Sequence, residues 1–400
     1  MKGIKNKKGI SLIVLVITII VMIILASAII LSLRSSGIIG RANEAKTKSD
    51  EATLREAASI KLAEYELGIQ MGEIDGSTIS ANAYVKAELE NDRIDTTGLA
   101  ITVDGDIQTG LSEVAVALVG VGAKIGDTVT GYVLSTEASS KTVITDGKEI
   151  IGYYVYDSPQ PASVTRDENI TWKYFGIDEN GEALIVGSVT DTTPKVLLGG
   201  EGGYLNGPST LKTICETMYS NEMGTARSIT IEDVTRVLEY TGEKGAYDDT
   251  SCTYTPTAKA KTINEIAKEI GYDMSNFASS TPESGKEIGE YESDYHYINK
   301  TNDASEYNTE RQDIIYPASS NTALTSTYWL SSPCVYANFF DNYAFYGVRY
   351  VDSNHVYSFS LFCSLDGLNG ALCSKLAVRP VVKLKSNINV SYDGTTITLS

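Results

Sequence analysis

The run "ISLIVLVITIIVMIILASAIILSL", Ile10 to Leu33, contains no charged side chain. About 24 residues at 1.5 Å each span roughly 36 Å as a helix, enough to cross a bilayer. Lys2, Lys5, Lys7 and Lys8 stand just before it. Such lysines stay on the cytoplasmic side, so the run predicts one membrane-crossing helix with the body of the chain outside. A cleavable secretory signal ending at Ala26–Ala28 fits less well, because its apolar core would be overlong and apolar sequence continues past the site.

After Arg34, "RANEAKTKSDEATLREAASIKLAEYELG" is built from strong helix formers. Leu54, Ala58, Leu62 and Tyr65 recur at helical spacing, and Gly68 and Gly72 are the expected stops. Residues 73 to about 165 read as strands and turns, with a short helix over "SANAYVKAELEND". "SPQPASVTRDEN", Ser158 to Asn169, is the expected domain boundary, and "GGEGGYLNG", Gly199 to Gly207, is expected to be a loop. Past the 158–169 boundary, Asn180-Gly181 predicts a hairpin between "ITWKYFGI" and "EALIVGSV". Helices are expected over "STLKTICETMYSN", over "TIEDVTRVLEYTG" with Thr230 as N-cap, and over "TINEIAKEIG".

A net charge of −18 argues against nucleic acid as a partner. The two histidines, His296 and His355, and the five cysteines, Cys215, Cys252, Cys334, Cys363 and Cys373, show no metal-ligand spacing. No phosphate-binding loop is present either, so neither a metal nor a cofactor is expected, and no catalytic residue stands out.

The segment Cys334 to Leu376 has its own composition. It holds ten aromatics in 43 residues, against 8% for the whole chain, and five of the seven phenylalanines. Glu, Gln, Met and Trp are absent and Lys375 is its only lysine. An ordinary exposed β region would carry several Glu and Lys. "AFYGVRYVD" and "HVYSFSLF" read as strands joined at Ser353-Asn354, with one face buried and one exposed. "TYWLSSP" before them and "LAVRPVVKLKS" after them are framework-like, with Pro380 at an edge or a strand start.

Two resemblances follow. The basic leader ending in Gly9, the apolar helix from Ile10 and its hydrophilic continuation resemble the class III signal of type IV pilins and pseudopilins. The resemblance implies cleavage between Gly9 and Ile10. Val14 stands where pilins carry Glu, which counts against efficient filament assembly. The stretch from "YWLSSPCVYANFFDNYAFYGVRYVDS" to "AVRPVV", with "GTARSITIEDV" upstream, resembles the target proteins of diversity-generating retroelements. The resemblance implies a C-type lectin-like fold, in that family often of the formylglycine-generating-enzyme subclass. The residue palette is the one reached by substituting the first two bases of an Asn codon.

The expected fold is therefore α+β: a long N-terminal pilin-like helix, a small β-rich middle region and a C-terminal C-type lectin-like domain. The boundaries are a leader at 1–9, membrane and soluble parts of the helix at 10–34 and 35–70, a middle region at 71–166, the lectin-like domain at 167–390 and a tail at 391–400. In that fold "ITWKYFGI" and "VRPVVKL" would lie together, flanked by the helices near 209–220 and 230–241. The expected function is ligand recognition at the cell surface by a membrane-anchored or pilus-associated protein. The partner would be a protein or glycan on another cell, phage or host, alongside the membrane and pilin subunits. A structural pilin subunit and an enzyme of the formylglycine-generating kind are the alternatives.

Tyr and Phe give contact area at small entropic cost, while Ser, Asn and Asp give adaptable hydrogen bonds. The expected contact residues are Asn338, Phe339, Phe340, Asp341, Asn342, Tyr343, Phe345 and Tyr346 on the first arm. Tyr350, Asp352, Ser353, Asn354, His355 and Tyr357 follow around the turn. Ser358, Phe359, Ser360, Phe362, Ser364, Asp366 and Asn369 complete the set. Val348, Val351, Val356 and Leu361 are the expected framework.

Overall fold

The computed structural model describes residues 38–135, 140–145, 148–151, 154–157, 160–190, 192–241, 246–248, 253–255, 298–301, 304–316, 327–338, 343–365, 368–371 and 373–400. The leader, Gly9, Ile10, Val14, the run to Leu33, His296 and the helix expected over 262–271 lie outside these residues. Among the described residues no helix is long and apolar enough to cross a membrane. Helices and sheets are both present, an α+β chain divided into two compact units, Met1–Gly110 and Leu111–Ser400.

In the first unit, helix α1 (Ile38–Met71) precedes α2 (Ala81–Asn91) and the ribbon of β1 (Ala100–Ile101) and β2 (Ile107–Gln108). Gly72 follows α1 at φ +75°, so the second of the two expected glycine stops ends the helix and Gly68 lies within it. Ala58, Val85, Leu89, Leu99 and Ile101 form the core, with Leu54 and Leu62 packed against it. The Ser80 side chain caps α2 by accepting from the Ala83 N–H.

The second unit begins at Leu111, not near residue 167. Its first element is helix α3 (Glu113–Gly120), a departure from the strand reading of this region. The "EVAVALVG" stretch is an unbroken apolar run that fits a strand as well as a helix, but Ser112 caps the helix and Val114, Ala115 and Leu118 turn one face inward. Strand β3 (Thr128–Thr130) follows, then β4 (Ser140–Thr145), β5 (Lys148–Ile151), β6 (Tyr154–Asp157) and β7 (Gln160–Thr165). The pairs β4/β7 and β5/β6 are nested antiparallel ribbons. The expected boundary at Ser158–Asn169 is therefore partly strand. Among the described residues β7 pairs on one side only, which tolerates Pro161.

Next come β8 (Trp172–Ile177), β9 (Ala183–Gly187), β10 (Lys195–Gly199) and helix α4 (Gly200–Tyr219). The stretch expected to be a loop supplies the end of β10 and the start of α4. Pro208 lies inside that helix and omits one hydrogen bond. Leu211, Ile214, Cys215 and Met218 are fully buried, so tertiary packing outweighs the poor helix propensity of the glycines. Strand β11 (Gly224–Ser228) leads to α5 (Ile231–Leu238). There the Thr230 hydroxyl accepts from the Asp233 N–H, and the Asp233 carboxylate accepts from the Thr230 N–H at 3.0 Å. Thr230→Ala is expected to remove about 1 kcal/mol of stability. A urea midpoint unchanged from wild type would show that the cap contributes nothing.

The remaining elements are β12 (Ala246–Asp248), β13 (Thr253–Thr255), β14 (Ile298–Asn299), α6 (Gln312–Ile315), β15 (Tyr328–Asn338), β16 (Tyr343–Val351), β17 (His355–Leu365), β18 (Leu368–Ala371), β19 (Cys373–Val378), β20 (Pro380–Leu384), β21 (Val390–Tyr392) and β22 (Thr396–Leu399). One seven-stranded sheet runs β11-β20-β9-β8-β3-β22-β21. The other runs β10-β19-β15-β16-β17-β14, with β18 also on β17. Pro380 opens β20, where a missing N–H is tolerated. "ITWKYFGI" and "VRPVVKL" do not pair, because β9, buried at every residue, lies between β8 and β20. The expected tail at 391–400 is strand as well. Ile397 and Leu399 are 1% and 3% exposed and alternate with exposed Thr398, so β22 is built into its sheet.

Helix α4 packs Ile214, Cys215 and Met218 with Val196, Leu198, Trp329, Val348 and Leu376. A second cluster joins Val234 and Leu238 of α5 with Ile314, Ile315, Tyr328, Leu330, Val351 and Val356. The two clusters together carry the long hairpin.

Candidate functional site

The base of the β16–β17 hairpin is set by its alternation. Val348, Val351 and Val356 are at most 1% exposed, as expected of framework. Val348 belongs to the α4 cluster, whereas Val351 and Val356 belong to the α5–α6 cluster. Both faces are thus covered near the turn, a correction to the expectation of one buried and one open face. The physical reason is that helices lie on both sides of this sheet. Arg349, between the valines, is 2% exposed.

Tyr350 and Tyr357 stand directly opposite each other, with ring centroids 5.8 Å apart and planes at 60°. Edge-to-face packing of this kind is favourable for aromatic rings. Tyr357 is 37% exposed, as expected. Tyr350, expected at the surface, is only half-exposed because its ring packs on the α4 cluster. Burial, helped by Asp352 and Tyr357, pushes its phenol up to about 12. Tyr350 therefore stays a neutral hydroxyl at physiological pH.

The turn is closed by Asp352, whose Oδ1 accepts from the Asn354 and His355 N–H groups, both at 2.7 Å. Its own N–H donates to the His355 carbonyl at 2.9 Å. This is an Asx-type turn, in which Asp352 is the turn former. His355 Nδ1 lies 3.4 Å from the same carboxylate oxygen, and its side chain is part-exposed. Ser353 is half-buried and Asn354 is exposed.

Asn338, Tyr343, Phe345, Tyr346, Ser358, Phe359, Ser360, Leu361, Phe362, Ser364 and Asn369 lie on β15 to β18, for which the structure gives backbone and register. Asn338 pairs with Tyr343, Tyr346 with Phe362, and Ser364 with both Ala344 and Asn369. The expected contact residues are thereby brought to one four-stranded arm. The bulge at Tyr346/Gly347 shifts its register partway along. Phe339, Phe340, Asp341, Asn342 and Asp366 lie outside the described residues.

The sequence reading missed the brace beneath the turn. Asn299 pairs with His355, and the Lys300 N–H donates to the Asn354 carbonyl at 2.7 Å. The Tyr307 hydroxyl donates to the Lys300 carbonyl at 2.6 Å, and Lys300 Nζ sits 5.5 Å from the Tyr316 ring centre. In sequence this stretch is polar and Tyr-rich, without the alternation that marks a strand. Among the described residues no three His, Cys, Asp or Glu side chains gather as metal ligands would. The site offers aromatic surface, hydroxyls and a half-exposed imidazole. No family model, curated protein or solved structure matches this chain.

Proposed function

We propose that this chain is a surface-displayed recognition protein, held by its apolar N-terminal helix and binding partners through the segment at about 334–376. The observation that carries the reading is the division of labour at the hairpin. Valines fix the strands from both sides, while the opposed pair Tyr350 and Tyr357 runs from core to surface. Tyrosine so placed is the residue type that dominates binding surfaces. The C-type lectin-like fold and the pilin-like leader belong to the same proposal and rest on the sequence resemblances. The ligand is then a protein or glycan outside the cell, and no cofactor takes part.

The test compares the full chain in detergent micelles with a version carrying different residues at the contact positions between 338 and 374. Both are read on an array of cell-surface proteins and glycans. The two are expected to bind different members, and Tyr357→Ala is expected to weaken each retained interaction about tenfold. Identical binding profiles would remove the recognition role of the segment.

A further inference from the structure

A cleft of about 160 Å³ opens where β8 and β9 meet α6. Thr171, Lys173, Ser188, Asp313, Tyr328 and Arg379 are among its lining residues. Its size suits a side-chain-sized group and is below that of a drug-sized pocket. Arg379 is 6% exposed. Its Nε–H donates to the Gly187 carbonyl at 2.9 Å. Nη1 donates to the Ile315 carbonyl at 3.3 Å and to the Tyr328 hydroxyl at 2.9 Å, and Nη2 to the Ile314 carbonyl at 2.6 Å.

A guanidinium carries five N–H donors, so one remains. Every acceptor is neutral, and among the described residues no carboxylate pairs with Arg379. The four hydrogen bonds and the Tyr328 ring, whose centre is 4.9 Å away, stabilise this buried charge without neutralising it. Lys173 lines the same cleft and makes no ion pair among the described residues. The Ser188 hydroxyl accepts from the Thr171 N–H at 3.0 Å, which leaves its own proton to donate. Asp313, the one acid in the lining, is 4.0 Å from Lys300. Two cations against one carboxylate leave the cleft positive in a chain of net charge −18.

We propose that this cleft binds a small monocarboxylate, with the free Arg379 N–H, Lys173 and the Ser188 hydroxyl as donors. Asp313 at the lining disfavours a dianion, which is why a carboxylate is preferred to a phosphate. The carboxylate belongs either to a free small acid or to the end of a peptide.

The experiment uses the full chain in detergent micelles, labelled with ¹⁵N-arginine, at an ionic strength held constant with sodium chloride. Acetate, N-acetylglycine, a tetrapeptide with a free C-terminus and N-acetylglycinamide are titrated separately. One arginine side-chain signal, assigned by its absence in Arg379→Lys, is expected to shift saturably with the acids and not with the amide. Lys173→Gln, at an exposed position, is expected to raise the apparent Kd about tenfold, the loss of one charged hydrogen bond. Tighter binding of the tetrapeptide than of acetate identifies a chain end, and equal binding a free acid. Shifts that do not saturate, that the amide reproduces, or that Lys173→Gln leaves unchanged would each overturn the proposal.

Discussion

Trp329→Ala will lower the stability of the C-terminal unit by about 3–5 kcal/mol, the range for emptying a large buried aromatic site. Trp329 is 0% exposed. It pairs with Tyr350 of β16 on one side and Val378 of β19 on the other, at the junction where the hairpin joins the rest of its sheet. Its Nε1–H donates to the Val196 carbonyl at 2.9 Å. Alanine leaves a cavity and strips that carbonyl of the bond. Trp329→Phe fills most of the space but restores no donor, so its loss is about 1–3 kcal/mol. Urea unfolding of the full chain, followed by circular dichroism, separates the three proteins. Equal midpoints for the phenylalanine variant and wild type would show that the indole hydrogen bond is dispensable.

Arg379→Met should be nearly as damaging, at about 3 kcal/mol, because methionine replaces only the stem of the side chain and offers no donor to the acceptors left behind. The guanidinium joins three parts of the chain, Gly187 at the end of β9, the α6 residues Ile314 and Ile315, and Tyr328 at the start of β15. It also lies 4.9 Å from the centre of the Tyr328 ring. Arg379→Lys keeps the charge but concentrates it at one point, which cannot serve acceptors spread around a planar fork. It is expected to lose about 2 kcal/mol. A lysine variant as stable as wild type would mean that charge, rather than the fork, holds these segments.

The legible parts of the fold were those where local signals agreed with packing. The Asn180-Gly181 hairpin formed because Gly181 supplies φ +77°. The Thr230 cap formed because Asp233 answers it from three residues on. At Val114–Val119 the unbroken apolar run fits strand and helix alike, and the burial of Val114, Ala115 and Leu118 decided for a helix. The start of α4 was hidden by its glycines, since its stability comes from apolar residues further along. Strand neighbours across the sheet were not readable, because β9 and β8 have similar apolar content and only three-dimensional order places β9 beside β20.

At the candidate site, the apolar β-branched type of Val348, Val351 and Val356 marked them as framework, and the Ser353-Asn354 pair marked the turn. The second covered face was not, since the helices that cover it come from residues far away in sequence. Asp352 was read as a contact residue because its type fits that role. Its carboxylate is instead engaged by backbone N–H groups two and three residues on.

The pairing of β22 with β3 joins Thr396–Thr398 to Thr128–Thr130, parallel and side by side. Its consequence lies in the order of synthesis. At roughly 5–20 residues per second, β3 leaves the ribosome some tens of seconds before its partner exists. Throughout that interval one edge of β3 is an open template for any passing strand. The sheet is completed only after residues 334–376 have been made, so that segment emerges before the fold that carries it has closed.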